Sequence, residues 1–211
     1  MKPTHRVLIL ALMAASIPAV AGAQTASASI RGAVSWAQDS EEGEVQAPSL
    51  VEWGRGYAAG AALGWTFASG LRAEAEFTFL HNPAVAEEGV PIGGSYRDQI
   101  YLANVGYEFG RASSRRATPY IAAGLGFVRV VQHQQYVDEG AIVHDEGHWN
   151  TLAVQARGGV SIRIAEAAAL TVGYRFLRVN ANDEQEVSED GTIGVGALVH
   201  HMAEAGLTFR F

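Results

Sequence analysis

Apolar and polar residues alternate along most of this chain. Leu71, Ala73, Ala75, Phe77 and Phe79 fall on one side of an extended segment, and Arg72, Glu74, Glu76 and Thr78 on the other. Leu152, Val154, Ala156, Val160 and Ile162 oppose Thr151, Gln155, Arg157, Ser161 and Arg163 in the same way. So do Leu170, Val172, Tyr174 and Phe176 against Thr171, Gly173 and Arg175. Side chains of a strand point alternately to its two faces, so a period of two predicts strands with one greasy and one polar side. Eight such segments are predicted: Ser27–Trp36, Arg55–Ala68, Leu71–His81, Arg97–Phe109, Pro119–Gln132, Asn150–Ile164, Ala168–Asn180 and Val199–Phe211.

A soluble sandwich has the same period, so alternation alone does not choose an architecture. The links between segments do. Ser69-Gly70 and Ala165–Ala167 are tight turns, and Gly110–Thr118 is a modest one. Ala37–Gly54, Asn82–Tyr96, His133–Trp149 and Ala181–Leu198 are long and rich in Asp, Glu and Gly. Short and long links alternate strictly, which predicts an antiparallel up-and-down transmembrane β-barrel with short periplasmic turns and four long extracellular loops. An extra hairpin within 180–198 would make ten strands instead of eight. Trp65, Phe67, Tyr107, Phe109, Phe209 and Phe211 near the short turns, and Trp36, Tyr57 and Phe79 near the long loops, fit two interfacial girdles.

The first residues have a different pattern. Lys2, His5 and Arg6 precede a mostly apolar run, Val7 to Val20, and Ala21-Gly22-Ala23 offers small residues for cleavage. Residues 1–23 are expected to be a secretory signal peptide and residues 24–211 one barrel domain. Removing that peptide takes Lys2 and Arg6 from the 15 basic residues. It leaves 13 arginines against 22 acidic residues, a formal charge of −9. Such acidity argues against a nucleic-acid partner. With no cysteine, neither disulfides nor thiolate metal sites can form.

The final octet, Glu204 to Phe211, sets Ala205, Leu207, Phe209 and Phe211 against Glu204, Gly206, Thr208 and Arg210. Its Gly206-x-x-Phe209-x-Phe211 ending resembles the closing strand of bacterial outer-membrane barrels. Other phrases are similar too: Asn104-Val105-Gly106-Tyr107-Glu108-Phe109, Pro119-Tyr120-Ile121-Ala122-Ala123-Gly124-Leu125-Gly126 and Val172-Gly173-Tyr174-Arg175-Phe176. Together with the eight segments they resemble the small OmpA-like or opacity-type outer-membrane barrel family. The likeness is to the barrel alone, without the peptidoglycan-binding domain of full-length OmpA-type proteins. The resemblance implies a Gram-negative outer membrane, lipid and lipopolysaccharide as surroundings, and loops that meet host or surface ligands. It also implies that the barrel-assembly machinery reads Gly206, Phe209 and Phe211.

If apolar faces meet lipid, the polar faces meet inside. Arg31, Glu74, Glu76, Arg157, Arg175 and Glu204 are expected at similar mid-barrel heights, with Asn104 and Gln155. Arg72, Glu108, Arg163 and Arg210 are expected nearer the periplasmic rim. Eight strands leave an interior just filled by side chains, so these charges should pair into a plug. The function expected is a structural or surface-interaction role by a monomer. The alternative is a narrow porin-like channel for small solutes.

A lipid-modifying enzyme fits less well. His81, His133, His144, His148, His200 and His201 are all placed near the long loops, without HExxH spacing or a Ser-His-acid array. No cofactor or metal is expected. The acidic run Asp183, Glu184, Glu186, Glu189 and Asp190 lacks EF-hand spacing and fits a solvated loop. A lipocalin-like soluble barrel would need the opposite arrangement, an apolar cavity and a polar exterior.

Overall fold

A computed structural model of the chain describes residues 25–38, 40–44, 47–87, 90–110, 116–138, 141–181, 193–195 and 197–211. The expected signal peptide lies outside these residues. So do Arg111, Arg115 and the acidic run 183–190. The strands are β1 (Thr25–Ala37), β2 (Ser40–Glu44), β3 (Ala47–Trp53), β4 (Arg55–Thr66), β5 (Leu71–Glu87) and β6 (Val90–Glu108). They continue with β7 (Ala117–Asp138), β8 (Ala141–Arg163), β9 (Ala168–Val179), β10 (Ile193–Val195) and β11 (Leu198–Arg210).

Eight of them close a ring in the order β1-β4-β5-β6-β7-β8-β9-β11, every pairing antiparallel, with β11 returning to β1. The ten-stranded alternative does not form, because Ile193–Val195 pairs with Glu42–Glu44 outside the ring.

The register fixes the tilt. From Ala169 on β9, successive partners are Thr208, Ser29, Ala62, Glu76, Leu102, Gly126, Ala153 and then Val179, again on β9. One circuit therefore climbs from residue 169 to residue 179. Such a stagger requires strands inclined to the axis, as closure of an eight-stranded barrel demands.

The short turn between β4 and β5 is held by its own backbone hydrogen bonds. Phe67 N–H donates to the Leu71 carbonyl at 2.8 Å and Gly70 N–H to the Phe67 carbonyl at 3.0 Å. Gly70 sits at φ 92°. A Cβ there would meet the Glu108 carbonyl oxygen at 2.6 Å, so both conformation and space select glycine.

The long links differ from expectation. β5 and β6 stay paired out to Glu87 and Val90, and β7 and β8 to Asp138 and Ala141. Links predicted over Asn82–Tyr96 and His133–Trp149 are therefore mostly hairpin, and Ala37–Gly54 holds β2 paired with β3. Ladder hydrogen bonds persist where neither face meets lipid. The amphipathic alternation that reveals a membrane strand is then lost.

The interior has two layers. Toward the short turns it is polar, with Glu74, Glu76, Asn104, Gln155, Arg157, Arg175 and Glu204 buried. Toward the long links it is apolar, a cluster that includes Leu80, Ile100, Leu102, Val128, Val130, Leu177, Val179 and Met202. The outer wall carries Leu63, Leu125, Phe127, Ile121 and Val105, all more than half exposed. An apolar surface of that extent around the ring is what contact with hydrocarbon requires.

Candidate functional site

The polar layer is a belt of ion pairs across the barrel. Inward positions alternate along each strand, so β5 supplies both Glu74 and Glu76, while β1, β8 and β9 supply Arg31, Arg157 and Arg175. Arg31 donates from Nη2 to Glu74 Oε2 at 2.7 Å and from Nη1 to Glu76 Oε2 at 2.9 Å. From another side, Arg157 donates from Nη2 to Glu74 Oε1 at 2.9 Å and from Nη1 to Glu76 Oε2 at 3.0 Å. Two guanidinium forks thus clamp the same pair of carboxylates, a geometry that the single ammonium of lysine does not offer.

Glu204 extends the belt. Arg175 donates to its Oε2 from Nη2 at 2.7 Å and from Nε at 3.0 Å. The same Arg175 Nη2 lies 2.8 Å from Glu76 Oε1. Arg157 Nη1 stands 3.7 Å from Glu204 Oε1. Neutral groups fill remaining valences: Asn104 Nδ2 donates to Glu76 Oε2 at 3.0 Å and Thr78 Oγ1 donates to Glu76 Oε1 at 2.9 Å. Gln155 Nε2 donates to Asn104 Oδ1 at 2.5 Å. All six charged side chains named from the sequence lie in this one belt, three arginines facing three glutamates.

The charged residues expected nearer the rim join the belt through their side chains. Arg72, expected lower down near the rim, follows the short turn directly and stands with its Nη1 3.6 Å from Glu108 Oε1, while its Nη2 reaches up to bond Glu74. Arg210 Nη2 in turn approaches Glu108 at 3.4 Å. A long arginine stem spans about two residues of barrel height, so rim and belt are one network. Thr78, placed on the polar face by the alternation, was not named among the belt residues because a threonine gives no charge signal.

His200, near the long links as expected, lies on β11 with its side chain buried in the apolar layer, and neither ring nitrogen finds a partner. Its neighbour His201 faces outward and hydrogen-bonds Tyr174 Oη and, at 2.9 Å, Gln38 Nε2. Asp98 is buried in the same layer with both oxygens unpartnered.

The belt leaves little room. Beside it lies a cavity of about 20 Å³ bordered by Arg31, Arg72, Glu74, Asn104 and Arg157, space for about one water. A vestibule of about 450 Å³ opens at the short-turn end, lined by Glu108, Thr118, Ser161, Arg163 and Arg210. Among the described residues no group of three His, Asp or Glu could hold a metal ion.

Gly206, Phe209 and Phe211 lie on the closing strand. A Cβ on Gly206 would come within 2.6 Å of the Ile30 carbonyl oxygen and 2.9 Å of Arg31 Cγ. Phe209 and Phe211 are exposed on the outer wall, and Phe211 N–H donates to the Ala26 carbonyl at 2.9 Å.

The sequence model of the outer membrane protein beta-barrel domain matches residues 7–211. The chain belongs to this family of outer-membrane β-barrels. Two solved barrels, OprG and Neisserial surface protein A, show the same fold. The outer membrane protein OprG of Pseudomonas aeruginosa is 11% identical, with a TM-score of 0.58 over 89% of this chain and 97% of that one. Neisserial surface protein A is 15% identical, with a TM-score of 0.53 over 89% and 97%. The attachment invasion locus protein Ail of Yersinia pestis, solved in complex with the heparin analogue sucrose octasulfate, is 14% identical. It covers 88% of this chain and 99% of its own, at a TM-score of 0.44. No curated protein matches the sequence.

Proposed function

We propose that this outer-membrane barrel is a structural, non-conducting cylinder that presents its long hairpins to the cell exterior for surface interactions. The observation that supports this reading is the belt itself. Arg31, Arg157 and Arg175, on three strands, reach Glu74, Glu76 and Glu204 on two others and fill the lumen. Charges taken out of water are stable only when paired, and a belt paired this fully resists opening. The apolar layer above it adds a second seal.

In this reading residues 1–23 are a cleaved signal peptide, residues 24–211 form the monomeric barrel, and catalysis has no part. Gly206, Phe209 and Phe211 form the strand end recognised by the assembly machinery. A narrow channel for small solutes is the second reading. It draws on the 450 Å³ vestibule, which brings solvent close to the belt from one end.

Two measurements test the proposal together. Proteoliposomes in small sugars should swell no faster than protein-free vesicles, whereas sugar-dependent swelling supports the channel. Since the chain has no cysteine, Val85→Cys on the long β5–β6 hairpin and Glu166→Cys on a short turn give clean topology probes. An impermeant maleimide should label the first in intact cells and the second only after permeabilisation. The reverse pattern rejects the orientation.

A further inference from the structure

Above the belt, the two faces of the barrel wall exchange polarity. Along β7, Phe127 faces out and is followed by inward Val128, outward Arg129 and inward Val130. Along β9, outward Phe176 is followed by inward Leu177, outward Arg178 and inward Val179. On β6 inward Ile100 lies between outward Tyr101 and Gln99, and Arg97 faces out beyond them. On β4 outward Arg55 precedes outward Tyr57. A wall that turns arginines outward and mostly apolar side chains inward, Asp98 and His200 excepted, no longer meets hydrocarbon, so this change marks the edge of the lipid-facing band.

Arg55, Arg97, Arg129 and Arg178 stand on that edge. Given the stagger of the ring, they fall within about two residues of one another along the barrel axis, spread over β4, β6, β7 and β9. All four are exposed, and none makes an ion pair among the described residues. Trp36, paired with both Arg55 and His201, and His81, paired with Arg97, complete the collar. From this level down to the short turns, no outward position of the eight barrel strands carries Asp, Glu, Lys or Arg. The collar is cationic although the chain as a whole is acidic.

We propose that this collar is a binding site for the phosphate groups of a phosphorylated glycolipid, lipid A, in the leaflet at the long-hairpin end. Unpaired guanidinium groups at the boundary between hydrocarbon and water are placed where lipid phosphates lie. Each fork can donate two parallel N–H bonds to one phosphate. The apolar wall directly below receives acyl chains, and Trp36, Tyr57 and Tyr101 offer rings at headgroup depth. Choosing lipid A over phospholipid rests on the orientation proposed above; phosphate recognition by the collar does not.

The test uses the refolded barrel in phosphatidylcholine bilayers doped with diphosphorylated lipid A, dephosphorylated lipid A or phosphatidylglycerol. Lipid retained through detergent extraction is counted by native mass spectrometry. The wild type should retain diphosphorylated lipid A above both other lipids. Arg→Gln replacement at positions 55, 97, 129 and 178 should lower that retention, by roughly fivefold per arginine. Unchanged heat-modifiable migration shows that a variant is folded. If the fourfold variant does not fold, Arg129→Gln and Arg178→Gln are read singly.

Equal retention by wild type and folded variants, or equal retention of dephosphorylated lipid A, overturns the proposal. Preference for phosphatidylglycerol over lipid A overturns its choice of lipid. Because these bilayers are symmetric, an orientation rejected by maleimide labelling leaves this result intact, and the two failures are distinguishable.

Discussion

Arg157 on β8 reaches across the lumen to Glu74 on β5, Nη2 to Oε1 2.9 Å, although 83 residues separate them in the chain. The contact ties together strands that are not neighbours in the ring, so the belt braces the cylinder internally. Its members are buried and mutually dependent. Arg157→Ala should therefore destabilise the barrel by about 3–5 kcal/mol, because it takes one guanidinium fork from both Glu74 and Glu76 and leaves Arg31 and Arg175 facing the three buried carboxylates of the belt. Urea unfolding in micelles, followed by tryptophan fluorescence, measures this. A loss below about 1 kcal/mol would mean that water reaches the belt and compensates the charges.

Asp98 presents the opposite case. Both of its oxygens are buried without partners among apolar neighbours, paired in register with Leu80 and Val130. Replacing an unsatisfied buried group by an apolar one of similar shape removes a penalty of about 1–3 kcal/mol. Asp98→Leu should thus leave stability unchanged or raise it, in the same unfolding assay. Clear destabilisation would show that Asp98 has a partner, such as an ordered water, that the belt residues do not supply.

Gly70 tests the turn geometry. With φ at 92° and the Glu108 carbonyl oxygen 2.6 Å from any added Cβ, Gly70→Ala should cost about 1–3 kcal/mol. Ser69→Ala loses only the 3.3 Å bond from Leu71 N–H to its hydroxyl and should cost less than about 1 kcal/mol.

The closing strand separates packing from recognition. Gly206→Ala pushes a methyl against Arg31 and should lower stability in purified refolded protein. Phe211→Ala removes an exposed side chain and should leave that stability within about 0.5 kcal/mol while reducing the folded barrel recovered from cells. Equal effects in both settings would contradict the assembly role proposed for Phe211.

The lipid face gives a further measurement. Leu125 is 67% exposed at the middle of the outer wall. Leu125→Arg should cost about 2–4 kcal/mol in bilayers, as for a charge near the membrane midplane. A neutral outcome would place Leu125 outside the hydrocarbon.

How much of this was legible in the sequence depended on where a residue sits relative to lipid. Within the membrane band one face must be apolar, so Phe77 and Glu76, or Val172 and Arg175, disclose strand, face and lumen at once. Beyond the band that constraint lapses. The ladder from Gln134 and Asp145 out to Asp138 and Ala141 carries no amphipathic mark, and was expected to be loop.

The same loss of constraint hid the apolar upper lumen. Val128 and Leu177 look like lipid-facing residues until register parity turns them inward. His200 and His201 are identical in type and adjacent, and only the pleat assigns one to the core and the other to the outer wall. The bond from Arg72 to Glu74 was hidden for another reason: position along a strand fixes a Cα height, not the reach of a four-bond stem.

Single-channel recording of the refolded wild-type barrel in planar bilayers tests the sealed lumen most directly. The belt and the apolar layer above it predict a flat baseline at low applied voltage, without sustained openings. Stable, reproducible ion current through the wild-type protein would contradict the account.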